Sequence, residues 1–206
     1  ILFSASTDEQ FRWLLLRSIS TSDHVMLWPD AVPLAIRNKA FWDRWLSWAD
    51  EHIEYLRVVR TLFREPWGDK VVASMPPALE GRLPAPESSL HGTAHCIGDH
   101  GFLFVFNPSG GLRVGQIPVN HWLGLSKGDS FDIRILYPDD KVYATGISRG
   151  QNLHVAVAPA SAMVLELSKS NGSESISSPD IPKDAPIDRA FLSWEDIPWT
   201  EIQWRP

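Results

Sequence analysis

The sequence predicts an α+β protein, with a helical N-terminal segment over residues 1–65 followed by an antiparallel β-sandwich over residues 91–168. Three observations carry that prediction. In Gly101-Phe102-Leu103-Phe104-Val105-Phe106-Asn107-Pro108 the phenylalanines alternate with Leu103 and Val105, so a strand here is apolar on both faces. Such a strand is buried between two layers, as in the middle of a sandwich, and Asn107-Pro108 ends it because proline brings no N–H to a ladder. Short strand patterns separated by turn signals recur from about His91 to Ser168. Before residue 66 the period is helical instead, with Trp42, Trp45, Ala49, His52, Ile53, Leu56 and Val59 on one wide face.

Taken in chain order, Ile1-Leu2-Phe3 reads as the tail of a strand whose earlier part is missing, so the chain is expected to be a fragment or a processed piece. Thr7-Asp8-Glu9-Gln10 fits a capping box, and Phe11, Leu14, Leu15 and Ile19 follow at helical spacing, which predicts a helix over 8–19. The polar run from Ser18 to Asp23 ends it. Val25-Met26-Leu27-Trp28, closed by Pro29-Asp30, reads as one short buried strand with a loop at its carboxyl end. Asn38 then caps a helix of roughly two dozen residues, whose aromatic face is expected to pack on a large neighbour. Residues 66–90 are rich in proline and small residues and form a linker. Strands are expected at 91–97, 101–106, 112–119, 131–137, 141–145, 152–157 and 162–168, with Gly98-Asp99-His100-Gly101 as a tight hairpin connection. Residues 169–190, rich in Ser, Pro, Asp and Lys, read as a disordered linker. The tail over 191–206 carries Trp194, Trp199 and Trp204, and such groups at a chain end dock either on their own domain or on a partner.

Composition narrows the function classes. The chain has 206 residues, 44% of them apolar, enough to bury a sizeable core. Net charge is −6 with no long basic block, so nucleic acid is not an expected partner. No apolar run reaches the roughly 20 residues that cross a bilayer, and no membrane partner is expected. Nothing at the start reads as a signal peptide. A single cysteine, Cys96, leaves no internal disulfide and does not fix the compartment.

Several constellations invite chemistry. His91, His95 and Cys96, with Asp99 and His100 following, suggest a metal site at first glance. On a strand, however, His91 and His95 lie roughly 13 Å apart and Cys96 points to the other face, whereas zinc ligands converge to about 2 Å from the ion. The reading is polar residues on a sheet face, with no metal and no cofactor. Ser20-Thr21-Ser22-Asp23-His24 holds the residue types of a triad, but triad members meet in space, and no Gly-x-Ser-x-Gly elbow is present; a polar turn explains the run. Asn171-Gly172-Ser173 matches a glycosylation sequon of a kind common by chance, and Gly110-Gly111 reads as a turn. Asp23 and Asp30 flank the apolar run 25–28 beside His24 and Trp28. Paired carboxylates about 5–10 Å apart serve glycoside hydrolysis, and an indole stacks on a sugar ring. Asp23, His24, Trp28 and Asp30 are therefore the candidate substrate contacts, the bland alternative being that Asp30 caps a turn. No catalytic residue is assigned.

Gly101 to Pro108, the later Leu136-Tyr137-Pro138 and the closing Ala162-Met163-Val164-Leu165-Glu166-Leu167 come in an order that resembles the C-terminal β-sandwich of bacterial α-galactosidase-like glycoside hydrolases of the TIM-barrel type. Phe41-Trp42-Asp43-Arg44-Trp45-Leu46 through Ile53-Glu54-Tyr55-Leu56-Arg57 resembles the last barrel helix of those enzymes, and the resemblance spans roughly residues 11–168. It implies that the helical segment is the remnant of a (β/α)8 barrel end, and that the sandwich is a stabilising accessory domain. It also implies catalytic aspartates upstream of this chain, with an oligo- or polysaccharide as substrate of the complete enzyme. An extracellular or periplasmic location would suit such an enzyme. The tail after residue 190 lies outside the family pattern. The alternative is a non-catalytic carbohydrate-binding or scaffold sandwich, and a third reading is an interaction protein whose tail docks to a partner. One consequence follows from a barrel remnant: the face of Trp42, Trp45 and Ile53 should be left exposed.

Overall fold

The computed structural model describes residues 2–3, 5, 7–22, 25–27, 29–63, 89–172, 181–182 and 184–190. It is α+β. Strand β1 (Leu2–Phe3) leads through helix α1 (Asp8–Thr21) to strand β2 (Met26–Leu27), and the two strands pair in parallel, Leu2 with Met26 and Phe3 with Leu27. Thr7 starts α1 through the expected capping box: its hydroxyl accepts from the Gln10 N–H at 3.2 Å, and the Gln10 carboxamide oxygen accepts from the Thr7 N–H at 3.1 Å. The 3-10 turn Pro29–Ala31 follows, then α2 (Val32–Arg37), α3 (Lys39–Glu51) and α4 (Ile53–Leu56).

Two helical expectations need correction. The long helix is broken at His52, which leaves helical geometry at φ −115° and ψ 20°. Its ring stacks on Trp48 and its Nδ1–H donates to the Trp48 carbonyl at 2.7 Å, which redirects the last turn. Asn38 makes no capping bond. Its Nδ2 donates to Asp8 Oδ1 at 2.7 Å and to the Leu34 carbonyl at 3.0 Å, while its Oδ1 accepts from Arg12 Nε at 3.2 Å. The Oδ1 that would accept from an N–H at the start of α3 is taken by Arg12 instead, and the bonds to Arg12 and Asp8 tie α1 to the end of α2.

The β region forms two sheets. β3 (Arg60–Leu62), β4 (His91–Ile97), β5 (His100–Asn107), β10 (Ser161–Lys169), β7 (Ser130–Tyr137) and β8 (Lys141–Ser148) lie side by side in that order, each pair antiparallel. β6 (Arg113–Pro118) is the middle of a three-stranded sheet, antiparallel to β9 (Asn152–Val157) and parallel to β11 (Ile187–Arg189). The expected hairpin joins β4 to β5, with Gly98 at φ +70°, a backbone setting that glycine reaches without strain. β11 lies within the stretch read as a linker, so three of those residues pair with a strand some seventy positions earlier. Residues 66–88 of the linker expected over 66–90, and the tail over 191–206, fall outside the described residues.

β5 is buried on both faces as its pattern requires, but the covering layers differ. Leu103 and Val105 belong to a cluster that draws on Val155 and Val157 of β9, Ile117 of β6 and Ile133 of β7. Phe102, Phe104 and Phe106 join the helices instead, through Phe11, Trp13, Leu15 and Trp45. The expected exposed helix face is therefore absent at its centre. Trp45 is 1% exposed, and Trp42 and Ile53 are half-buried. Tyr143 links the sheets directly, its hydroxyl donating to the His154 carbonyl at 2.9 Å.

Candidate functional site

Asp30 sits exposed in the 3-10 turn at the carboxyl end of β2, immediately before α2. Because β1 and β2 run in parallel, their carboxyl ends face the same side, which is where ligands gather in α/β folds. Asp23, His24 and Trp28 lie outside the described residues. The serine-rich run ends α1 locally: the Ser20 and Thr21 hydroxyls donate to the Arg17 carbonyl at 2.9 and 2.8 Å.

The histidine-rich strand also resolves simply. His95 is fully buried, with Nε2 bonded to Thr93 Oγ1 at 2.8 Å and its ring edge-on to Phe104. Burial lowers its pKa to about 4, although carbonyls of Val58, Leu56, Ser20 and Tyr55 at the ends of α1 and α4 pull the other way. Cys96 points to the opposite face, into the aliphatic cluster, where burial pushes its thiol up to about 12 and makes it unreactive. Among the described residues, no group of three acidic, His or Cys side chains is placed to hold a metal ion.

Tertiary structure assembles a constellation that spacing did not reveal. His100, at the start of β5, bonds through Nε2 to Glu166 Oε1 of β10 at 2.9 Å. The pairing follows from register, since Glu166 lies opposite Phe102 two residues on from His100. Tyr55 and Phe102 both stand edge-on to the His100 ring at 5.0 Å between centroids. His52 stands edge-on to Phe102 at 4.8 Å and stacks on Trp48. The ion pair is partly open, its side chains 26% and 30% exposed.

The electrostatics limit what this cluster can do. The His100 hydrogen bond holds the Glu166 carboxyl below its usual value, against the opposing effect of burial, and Arg134 adds to the lowering. A general acid for glycoside cleavage needs the reverse, a carboxyl kept protonated near neutrality. His52 donates Nδ1–H to Trp48, so the neutral ring presents its Nε2 lone pair. An ionised carboxylate, an imidazole acceptor and aromatic edges can hold hydroxyl or cationic groups. The arrangement suits binding, not proton transfer.

No protein-family model and no curated protein sequence matches this chain. Among solved structures it is similar to a candidate alpha-N-acetylgalactosaminidase from Bacillus halodurans C-125, with TM-score 0.47 and 15% identity over 81% of this chain and 32% of that one. It is also similar to an alpha-amylase from Geobacillus thermoleovorans solved with acarbose, with TM-score 0.47 and 11% identity over 78% of this chain and 34% of that one. A third is a GH27 β-L-arabinopyranosidase from Geobacillus stearothermophilus in complex with arabinose, with TM-score 0.44 and 15% identity over 80% and 31%. The chain spans about a third of the length of each.

Proposed function

We propose that this chain is the C-terminal portion of a carbohydrate-active glycoside hydrolase. In this reading residues 1–65 are the end of a (β/α)8 barrel, and residues 91–168 form an accessory β-sandwich to whose two sheets β3 and β11 each add an edge strand. Residues 66–90 and 169–190 are connecting segments, and the tail over 191–206 docks on this domain or on a partner. Catalysis resides on strands upstream of the residues described.

One observation carries the reading. β1, α1 and β2 form a parallel β-α-β unit, followed by helices that pack on an antiparallel sheet. Parallel strands occur in sheets covered on both faces, and an isolated pair is at best marginally stable in water. The pair is therefore expected to continue into further parallel strands. Sugar would bind at the carboxyl ends of those strands, where Asp30 is positioned and Trp28 would stack; Asp23 and His24 are the remaining candidate contacts. Glu166 keeps its charge at neutral pH and holds β10 to β5 rather than acting on substrate.

The test is expression of the reading frame extended upstream of Ile1, assayed on nitrophenyl glycosides beside the 206-residue chain. The expected result is hydrolysis by the extended protein only, abolished by substituting an upstream strand-end aspartate. The alternative is a non-catalytic carbohydrate-binding sandwich, favoured by Trp122, which is 45% exposed beside His121. Binding of oligosaccharides by the 206-residue chain, lost in Trp122→Ala, would put that alternative first.

A further inference from the structure

Asn171 and Gly172 follow the end of β10 in an exposed bend. The β10–β7 ladder closes one residue earlier, where the Ser170 N–H donates to the Ser130 carbonyl at 2.9 Å. Past that point, among the described residues, no hydrogen bond holds the Asn171 carboxamide. Gly172 sits at φ +81°, a setting glycine adopts without strain, and a Cβ built there would meet nothing within 4 Å. Among the described residues its N–H reaches only the Ser170 hydroxyl, at 3.4 Å, the outer limit of a hydrogen bond.

An asparagine carboxamide carbon is an electrophile, and the nearest nucleophile is the backbone nitrogen of the following residue. Attack closes a five-membered ring. It is prevented where a side chain crowds that nitrogen, or where hydrogen bonds hold either group in place. The chain has five asparagines, and the fold protects four of them. Asn38 is buried and tied to Asp8 and the Leu34 carbonyl. Asn107 is buried, its Nδ2 donates to the carbonyls of Gly111, Val157 and Ala158, and Pro108 after it has no N–H. Asn120 accepts from the Trp122 N–H at 2.9 Å and is followed by His121. Asn152 opens β9 opposite Pro118 and is followed by the buried Leu153. Only Asn171 joins an exposed, unheld carboxamide to a following glycine.

We propose that Asn171 is a site of spontaneous modification, converted through a succinimide to aspartate and isoaspartate. The Gly172 nitrogen gives its proton to hydroxide and bonds to Asn171 Cγ. The bond from Cγ to the carboxamide nitrogen breaks, and that nitrogen takes a proton from water and leaves as ammonia. Water then opens the ring. Breaking the bond between Cγ and the ring nitrogen gives aspartate. Breaking the bond between the backbone carbonyl carbon and that nitrogen gives isoaspartate, which adds a methylene to the main chain. Either product adds one carboxylate, beside the exposed Lys169, to a chain whose formal charge is −6. The change lies past the last rung of the ladder, so it alters the connection from β10 to β11 and leaves the sheets intact.

The experiment ages the full chain in mildly alkaline and in mildly acidic buffer, then maps it by mass spectrometry after trypsin. Cleavage after Lys169 releases a peptide whose one asparagine is Asn171. The expected result is the mass gain of amide-to-acid exchange in that peptide, faster in alkali because attack needs the ionised nitrogen. The gain should divide into two chromatographic products of equal mass. Gly172→Pro should lose it entirely, and Gly172→Ala should slow it severalfold through the added Cβ. The chain aged in urea supplies the rate of an unprotected asparagine. No gain in the folded chain where the urea-treated chain reacts overturns the proposal, as does a folded rate no greater at Asn171 than at Asn120 or Asn152. A gain undiminished in Gly172→Pro, or a single product, also overturns it, since direct hydrolysis of the carboxamide gives aspartate alone. The test does not depend on the hydrolase reading.

Discussion

The two faces of the six-stranded sheet bury apolar side chains in different ways. On one, Leu103, Val105, Ile133 and Leu165 meet Val155 and Val157 in an aliphatic cluster whose most polar member is the Tyr143 hydroxyl, itself bonded to the sheet opposite. On the other, Phe102, Phe104 and Phe106 meet tryptophans and histidines. Aliphatic chains interdigitate without polar obligations, whereas indoles and imidazoles bring N–H groups that need partners. The sheet-facing side can be closed, and among the described residues Arg60 Nη1 is its one buried donor without a partner. The helix-facing side cannot, and its orphaned donors and half-open His100–Glu166 pair concentrate there.

Four measurements would sharpen or break that contrast. The largest effect is expected from Phe104→Ala, at about 3–5 kcal/mol lost in urea unfolding, because the side chain is fully buried against Trp48 and the helices. Coincident loss of helical and sheet signals would mean that the two faces unfold as one unit. Loss of helical signal first would make the helical layer separable. Asp188→Ala should cost about 3 kcal/mol, since it strands the mostly buried Arg113 guanidinium and unpins β11 from β6. A cost below about 1 kcal/mol would show that β11 contributes little to the fold.

Acid is the third probe. The folded pKa values of His91 and His95, about 3 and about 4, lie below the unfolded value near 6.5. The unfolded chain therefore binds more protons in this window, and stability present above pH 6.5 is lost progressively as pH falls toward 4. His95→Asn should flatten this slope, and a slope unchanged in that variant would refute the assignment to the helix-facing side. The smallest effect is Glu166→Gln, at about 1 kcal/mol for a half-exposed charged hydrogen bond, appearing at neutral pH and vanishing as pH falls below the lowered carboxyl pKa.

The strands were legible because their signals are local. Alternation marks β5, and Gly98-Asp99 turns β4 back on it, so seven expected strands correspond to β4 through β10 within a few residues at each end. The capping box at Thr7 was legible for the same reason. α2 escaped notice because six residues with Pro33 at the second position carry little periodicity. β11 escaped because it is short and polar and depends on Arg113 across the chain. The site was legible only in its types: the histidines stood out, but pairing His100 with Glu166, or Arg17 with His91, requires the register of β5 and β10 and the docking of α1.

From the sequence alone came the α+β class, the strand positions and the double-sided burial of β5, since each follows from nearest-neighbour chemistry and period. Which layer covers each face of that strand was decided by tertiary structure, because phenylalanine and leucine are equally at home against a helix or a sheet. The same holds for Asn38, which has cap chemistry, yet its amide ties α1 to α2 once packing brings Asp8 and Arg12 within reach. It holds too for Trp13 Nε1 and His91 Nε2, buried around Phe106 with no hydrogen-bond partner among the described residues, a property of what surrounds them that is written in no single segment.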